Sequence, residues 1–248
     1  MRKLRREPLS AHALQALWDN TIAIADAGHP RRSSRARRKE SEKRWSTKPR
    51  KTFDEIRETL RKMSSGIERC MYCESNQGTD IEHFWPKKLA PCRTFDWNNL
   101  LLACSTCNSN HKRDRFPRMN GKPLLINPVD DDPAEHIALS PSTGNFDDLT
   151  ERGTASIDIL GLNRTALTEC RRDAWISVQL HINAYAEACC ANDELEAAEI
   201  RRVLTRAPHA SVFENLLRVA ETKIAEKHIS AKCLQTLAAY PEIKTWLL

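Results

Sequence analysis

Two Cys-x-x-Cys pairs are the residues whose type and spacing predict chemistry most directly, and thirty residues separate the pairs. Each pair presents two thiolates to one ion, and two pairs complete a tetrahedral zinc site that has no open coordination position. A thiol redox function is the alternative for one pair, but it does not require a second pair. The spacing therefore predicts a structural Zn²⁺ bound by Cys70, Cys73, Cys104 and Cys107.

The segment between the pairs places a carboxylate next to an imidazole, Glu82 and His83, on the short β-prone run TDIEHFWP. Asn108, His111 and Lys112 follow the second pair, where the sequence predicts the start of a helix. Residues three and four apart lie on one helix face, so these side chains project together. If that face packs against Glu82 and His83, oxygen ligands can hold a divalent ion beside a free imidazole base. Such a set suits phosphodiester hydrolysis, in which a base activates the water and a metal stabilises the departing oxygen.

Each of these residues also has an ordinary structural interpretation. A Glu-His step on a strand is commonly part of the surface, and an asparagine after a cysteine turn is commonly a turn or cap residue. A histidine in a basic helix start, such as His111, is commonly solvated. Their joint occurrence at workable spacing around two zinc-type pairs favours a catalytic site.

The same segment resembles a known family. It contains Cys-x-x-Cys, Glu-His-Phe-x-Pro, Trp-x-Asn-Leu and Cys-x-x-Cys-Asn in that order, followed by a lysine. This run is similar to the zinc-binding members of the HNH endonuclease family, whose core is a ββα-metal fold. The resemblance implies that His83 is the general base and that Glu82 is an acidic ligand of a catalytic divalent ion, Mg²⁺ or Mn²⁺.

The resemblance also implies roles for two asparagines. Asn99 matches the central asparagine, which braces the loop between the strands by hydrogen bonding and does not touch the metal. Asn108 matches the second metal ligand, but His111 lies three residues further on and could substitute, so this ligand stays open between the two. In the same interpretation three basic residues hold the flanking phosphates, namely Lys112, Arg113 and Arg115.

The likeness extends beyond the core to the runs MRKLRREP, LLINPVDDDPAEH and SIDILGLNRTALTECRR. They resemble the HNH nucleases of Septu-type and retron-linked antiphage defence systems. That branch implies an ABC-type ATPase partner that restrains or triggers the nuclease, and spare apolar faces of the C-terminal helices are candidate docking surfaces for it. The sequence leaves open whether the substrate is DNA or an RNA such as tRNA.

A second hypothesis is a zinc-stabilised nucleic-acid- or partner-binding module without catalysis. Such a module would keep the cysteines and the basic segments, but it would need neither His83 nor Glu82. Because both residues are present together with Asn99 and Asn108, we favour the enzyme.

The patterns along the chain predict an α+β fold in which helices flank a small metal-bound centre on both sides, and the resemblance implies that this centre is a ββα-metal HNH core. We expect an N-terminal helical segment at 1–65, the nuclease core at 66–120, and a connector with a helical region at 121–248. Periodicity predicts helices at 9–28, 52–70, 163–191, 193–206, 211–228 and 230–239. A hairpin is expected within 137–149, and three residues are expected as N-caps, namely Asn163, Asn192 and Ser211.

The charge balance is basic, with 39 Lys and Arg against 33 Asp and Glu. Eleven of the basic residues lie in 31–51, which we expect to be a mobile arm whose charge adds salt-dependent affinity for nucleic acid. No apolar run approaches the roughly 20 residues of a membrane span, and we find no secretory signal. We therefore expect a cytoplasmic protein without a membrane partner, in which the nine cysteines do not form a disulfide framework.

Overall fold

The computed structural model describes residues 1–27, 29, 33–64 and 67–247, which form a mostly helical α+β structure. The α-helices are α1 Ala11–Asp26, α2 Ser34–Ser46, α3 Arg50–Met63, α4 Glu151–Leu160, α5 Thr165–Cys190, α6 Glu194–Arg206, α7 Ala210–Ala220, α8 Ala225–His228 and α9 Ala231–Ala239. The strands pair antiparallel in twos: β1 Asp80–His83 with β2 Leu100–Ala103, β3 Arg118–Met119 with β4 Lys122–Pro123, and β5 Ile137–Leu139 with β6 Phe146–Asp148. Among these residues, no helix has both the length and the apolar character needed to cross a bilayer.

The hairpin of β1 and β2 forms the centre of the structure. Its register places Glu82 opposite Leu101 and His83 opposite Leu100. All four residues of β2 are buried, which explains its continuous apolar sequence, because both of its faces are covered. Met71, in the first cysteine turn, donates its backbone N–H to Leu102 O at 2.8 Å. The hairpin therefore carries the first cysteine pair alongside the second.

A short helix, Thr106–Lys112, leaves the second cysteine pair; we call it the site helix. It is wound as a π-helix, and the N–H of Arg113 donates to Asn108 O, five residues earlier, at 2.7 Å. Such wide turns are rare and are frequent at functional sites. The site helix packs against α4, a helix that the sequence patterns did not predict. The order strand, strand, helix expected around the cysteines is therefore present.

The basic segment 31–51 is not a mobile arm over its described residues, so this expectation was wrong. It forms α2, which begins after the N-cap Ser33 and packs against α1 and the turn Pro91–Arg93. Arg and Lys are good helix formers, and Arg44 donates to Asn20 Oδ1 of α1 at 3.2 Å. Contacts with neighbouring elements thus hold a segment whose composition alone suggested a solvated chain. Arg31 and Arg32 lie outside the described residues.

The helices predicted at 163–191, 193–206 and 230–239 and the hairpin within 137–149 are confirmed as α5, α6, α9 and β5–β6. The helices predicted at 9–28 and 52–70 correspond to α1 and α3, while Gly28, Ser65 and Gly66 lie outside the described residues. The segment predicted as one helix at 211–228 is divided into α7 and α8.

All three predicted N-caps were wrong: Asn163 and Ser211 bond to other partners, and the residue after Asn192 caps α6. Asn163 bonds both the N–H and the carbonyl of Phe146 and so ties β6 to the start of α5, which begins at Thr165. The cap before α6 is Asp193, whose Oδ1 accepts from the N–H of Glu196, one residue after the expected Asn192. Ser211 lies inside the first turn of α7 and donates its hydroxyl to Glu74, beside the first cysteine pair.

We predict that Gly161→Ala lowers the free energy of unfolding by more than Gly121→Ala does. Both glycines have a positive φ, 58° and 78°, so alanine costs about 1–2 kcal/mol in strain at either position. An added Cβ at Gly161 would also lie 2.4 Å from the His111 ring, whereas nothing lies within 4 Å of one at Gly121. Urea denaturation of the zinc-loaded variants measures both losses. Equal losses would contradict the close packing of α4 on the site helix.

Candidate functional site

Four buried cysteines form the first part of the site. The sulfurs of Cys70, Cys73, Cys104 and Cys107 all lie within 4.8 Å of one another. They can hold a structural zinc, because four thiolates at this separation match the ligand set of a closed tetrahedral site. The remaining cysteines are free thiols elsewhere in the structure, namely Cys92, Cys170, Cys189, Cys190 and Cys233.

Donors around the sulfurs fit this assignment. The Arg164 guanidinium reaches Cys107 Sγ at 3.7 Å, and Asn76 Nδ2 reaches Cys104 Sγ at 3.7 Å. Hydrogen bonds with Cys107 and then Cys70 lower the pKa of Cys104 to about 6, although Cys73 and burial oppose this decrease. Donors of this kind orient metal-binding thiolates and offset their negative charge. Arg164 precedes α5, so it also ties the cluster to the C-terminal helices.

The second part of the site is a cleft of about 650 Å³ in front of the β1–β2 hairpin. It brings together five of the residues predicted from the sequence, namely Glu82, His83, Asn108, Lys112 and Arg113. Asn99, His111 and Arg115 are not among its lining residues. Other lining residues that the sequence did not single out include Trp45, Lys48, Asp80 and Lys87.

His83 is held in one orientation and one tautomer. Its Nε2 lies 3.0 Å from Thr94 O; because a carbonyl can only accept, Nε2 carries the proton and a neutral ring leaves Nδ1 as an acceptor. The Trp45 ring packs edge-on against the imidazole, with 4.3 Å between the ring centroids. Burial, and then the charge of Lys87, lowers the pKa of His83 to about 3. The imidazole is therefore neutral and has a free lone pair at neutral pH.

Asn99 connects the exit of β1 to the loop that precedes β2. Its Oδ1 accepts from the N–H of Trp85 at 2.7 Å, and its Nδ2 donates to Trp85 O at 3.1 Å and to Arg93 O at 2.9 Å. The loop held in this way also carries Thr94, the partner of His83. Asn99 is buried and does not line the cleft. Its side chain therefore stabilises the conformation of the loop.

Glu82 and Lys112 form a buried ion pair. Lys112 Nζ lies 2.5 Å from Glu82 Oε1 and donates to His83 O at 2.9 Å, and only 1% of Lys112 is exposed. Burial raises the pKa of Glu82, and Lys112 opposes this rise. Lys112 therefore neutralises Glu82 inside the protein in the structure, whereas the sequence had suggested that it holds a flanking phosphate.

Asn108 contacts a carboxylate that sequence reasoning missed. Its Nδ2 donates to Asp80 Oδ2 at 3.1 Å, and Asn108 Oδ1 accepts no hydrogen bond within the part of the chain that the structure describes. Strand alternation places Asp80 on the same face of β1 as Glu82, and this period of two was the signal that could have identified it. Apart from the ion pair, Glu82 Oε1 has no hydrogen-bond partner among the described residues. Carboxylate and amide oxygens, such as those of Asp80, Glu82 and Asn108, are the type of ligand that Mg²⁺ or Mn²⁺ prefers, although Glu82 Oε1 itself is occupied by Lys112.

His111 and Arg115 face α4 and lie away from the cleft lining. The His111 ring packs against Gly161, so the structure does not bring it to Glu82, and Asn108 is the candidate ligand that lines the cleft. Arg115 donates to His111 O at 2.7 Å and to Ile159 O at 3.0 Å, bridging the site helix and α4. Of the three basic residues expected to hold phosphates, Arg113 is the one that is both exposed and part of the cleft.

We predict that Cys73→Ser abolishes stoichiometric zinc binding and lowers the resistance of the fold to urea. The loss of one thiolate opens the tetrahedral site that joins the two cysteine turns. Metal analysis of the purified protein should give about one zinc per wild-type chain. Cys170→Ser is the matched control, because Cys170 is exposed and separate from the cluster. Full zinc occupancy in the Cys73 variant would refute the four-cysteine assignment.

We predict that Lys112→Met lowers the free energy of unfolding by about 3–5 kcal/mol, because it leaves the Glu82 carboxylate buried without its cation. The double variant Glu82→Gln/Lys112→Met should recover part of this loss. Urea denaturation without added divalent ion measures the coupling. Lys122→Met, at an exposed lysine, is the control and should change stability little. If the loss of stability in the double variant equals the sum of the losses in Lys112→Met and Glu82→Gln measured singly, the two residues are not coupled.

Comparisons with known proteins give one informative similarity. No family model and no solved structure matches the chain. The chain is 32% identical to the Septu protein PtuB of Bacillus mycoides (strain KBAB4) over 159 residues, which is 51% of this chain and 53% of that protein. The chain thus spans about half the length of this curated relative. Half of the chain is therefore related in sequence to a Septu protein.

Proposed function

We propose that the protein is a metal-dependent HNH endonuclease that hydrolyses nucleic-acid phosphodiester bonds as the effector of a bacterial antiphage defence system. The observation that carries the proposal is the cleft that a neutral His83, held through Nε2 by Thr94 O, lines together with the side chains of Asp80, Glu82 and Asn108. The similarity to a Septu protein supports the assignment to defence. The buried four-cysteine cluster supports a zinc-stabilised nuclease core.

In this proposal His83 is the general base. Nδ1 accepts a proton from a water molecule while Nε2 remains bonded to Thr94 O, and the resulting hydroxide attacks the phosphorus in line. Trp45 and the loop held by Asn99 keep the buried ring in this orientation. Breaking the bond to the 3′ oxygen gives 5′-phosphate and 3′-hydroxyl ends.

Glu82 and Asn108, with Asp80 beside them, would hold the catalytic Mg²⁺ or Mn²⁺ through oxygen atoms. When bound, that ion supplies positive charge to the leaving oxygen. Lys112 favours the charged form of the Glu82 carboxyl and so opposes the rise in pKa that burial causes. Arg113, at the cleft edge, can contact the backbone of the bound strand.

The defence assignment brings a partner and a location into the proposal. The nuclease works in the cytoplasm with an ABC-type ATPase that restrains or triggers it, as in Septu-type and retron-linked systems. The ATPase would contact the helical region at 121–248, which supplies no side chain to the cleft lining. The substrate is DNA or RNA, and the cleavage assay below distinguishes them.

We predict that the zinc-loaded wild type cleaves plasmid DNA or total RNA with Mg²⁺ or Mn²⁺, and that EDTA stops it. His83→Ala should lower the rate roughly 100- to 10,000-fold, because the general base is lost. Gel analysis of the products identifies the substrate class. His12→Ala, at an exposed histidine of α1 away from the cleft, is the matched control and should cleave as the wild type does.

The controls separate catalysis from folding. Zinc content measured on the same samples shows whether the His83 variant keeps the four-cysteine cluster. Equal cleavage by wild type and a zinc-loaded His83→Ala variant would refute the proposed base. Binding of nucleic acid without cleavage, with and without the ATPase, would favour the zinc-stabilised binding module.

A further inference from the structure

Two lysines from separate parts of the chain meet at one tryptophan in the cleft. Lys48 follows α2 and Lys87 follows β1, and their Nζ atoms lie 4.8 and 5.1 Å from the centroid of the Trp45 ring. Lys48 Nζ also donates to Trp45 O at 3.2 Å. The same ring packs against His83 at 4.3 Å. The two ammonium groups are therefore placed close to the imidazole by a shared aromatic contact.

Neither ammonium has an acidic partner in a salt bridge among the described residues, although other cations of the cleft do. Lys112 pairs with Glu82, and Lys88 pairs with Asp114 at 2.7 Å. Burial, and then the charge of Lys48, lowers the pKa of Lys87, although the carboxylates of Glu42, Glu82 and Asp114 oppose this decrease. The two like charges therefore oppose each other. The ring face offsets part of this cost, and an anion bound between the lysines would offset more.

We propose that Lys48 and Lys87 form a phosphate-binding clamp that holds the backbone of a nucleic-acid strand next to His83. The proposal deepens the nuclease function and rests on it for the reaction that follows binding. It reassigns phosphate contacts from Lys112 and Arg115, which are engaged within the protein. Lysine suits this task because its ammonium is a point charge that tolerates different phosphate geometries.

The test measures binding apart from cleavage. The full-length, zinc-loaded protein carries His83→Ala, and the probe is a fluorescein-labelled 30-nucleotide strand, as DNA and as RNA, followed by fluorescence anisotropy. Adding Lys48→Gln and Lys87→Gln should weaken binding about tenfold or more and reduce the slope of log affinity against log salt by about 0.7 per lysine. Lys48→Arg with Lys87→Arg should retain binding, since both charges remain.

A matched pair of lysines controls for net charge. Lys223→Gln with Lys227→Gln removes two positive charges from exposed positions near α8, away from the cleft, and should leave affinity and salt slope nearly unchanged. Equal weakening by both pairs of substitutions would overturn the clamp, and so would the absence of probe binding by the His83→Ala parent.

Cleavage by proteins that keep His83 separates the two proposals. If the Lys48→Gln/Lys87→Gln protein cleaves with an unchanged KM, the clamp is wrong and the nuclease function stands. If the Lys48→Gln/Lys87→Gln protein loses binding, the Lys223→Gln/Lys227→Gln protein keeps it, and the wild type never cleaves, the clamp stands and the nuclease function fails. Zinc content and urea denaturation confirm that each variant is folded.

Discussion

Four cysteine sulfurs within 4.8 Å of one another join the turn before β1 to the exit of β2, and the geometry of the site depends on that junction. The site helix begins at Thr106, between Cys104 and Cys107, so its direction follows from the cluster. Asn108 and Lys112 reach β1 because this helix starts where it does. A hairpin of two four-residue strands has little stability by itself, and a bound zinc would supply what it lacks.

The cleft combines buried charges that compensate one another within the protein. Burial raises the pKa of Glu82, and the ammonium of Lys112 opposes that rise. His83 lies beside three lysines, and its neutral form is favoured by their charge as well as by burial. Adjacent residues thus provide a carboxyl group paired with an ammonium and a neutral imidazole held in one tautomer by Thr94 O.

Elements outside the hairpin hold these groups in place. From the N-terminal side, α2 contributes Trp45, which packs on His83 and also contacts Phe53 and Phe95. From the C-terminal side, α4 covers the site helix, and Arg115 bridges the two. Ser211 of α7 bonds Glu74 next to Cys73, so the helical region is also tied to the cysteine cluster. The cleft is thus built by the whole chain, although its central groups come from one segment.

The sequence by itself determined the features that depend on local spacing. Spacings of two, three and four residues are properties of neighbouring positions in the sequence. They predicted the cysteine pairs, the Glu82-His83 step at the end of a strand, the apolar run of β2 and most C-terminal helices. The tertiary structure decided which basic residues are available to a ligand, because Lys112 and Arg115 bond to partners more than 28 residues away. It also decided that α2 is ordered, that Asp80 meets Asn108 and that His111 packs on Gly161. Such contacts join segments distant in sequence, and neither composition nor periodicity specifies which distant segments will touch.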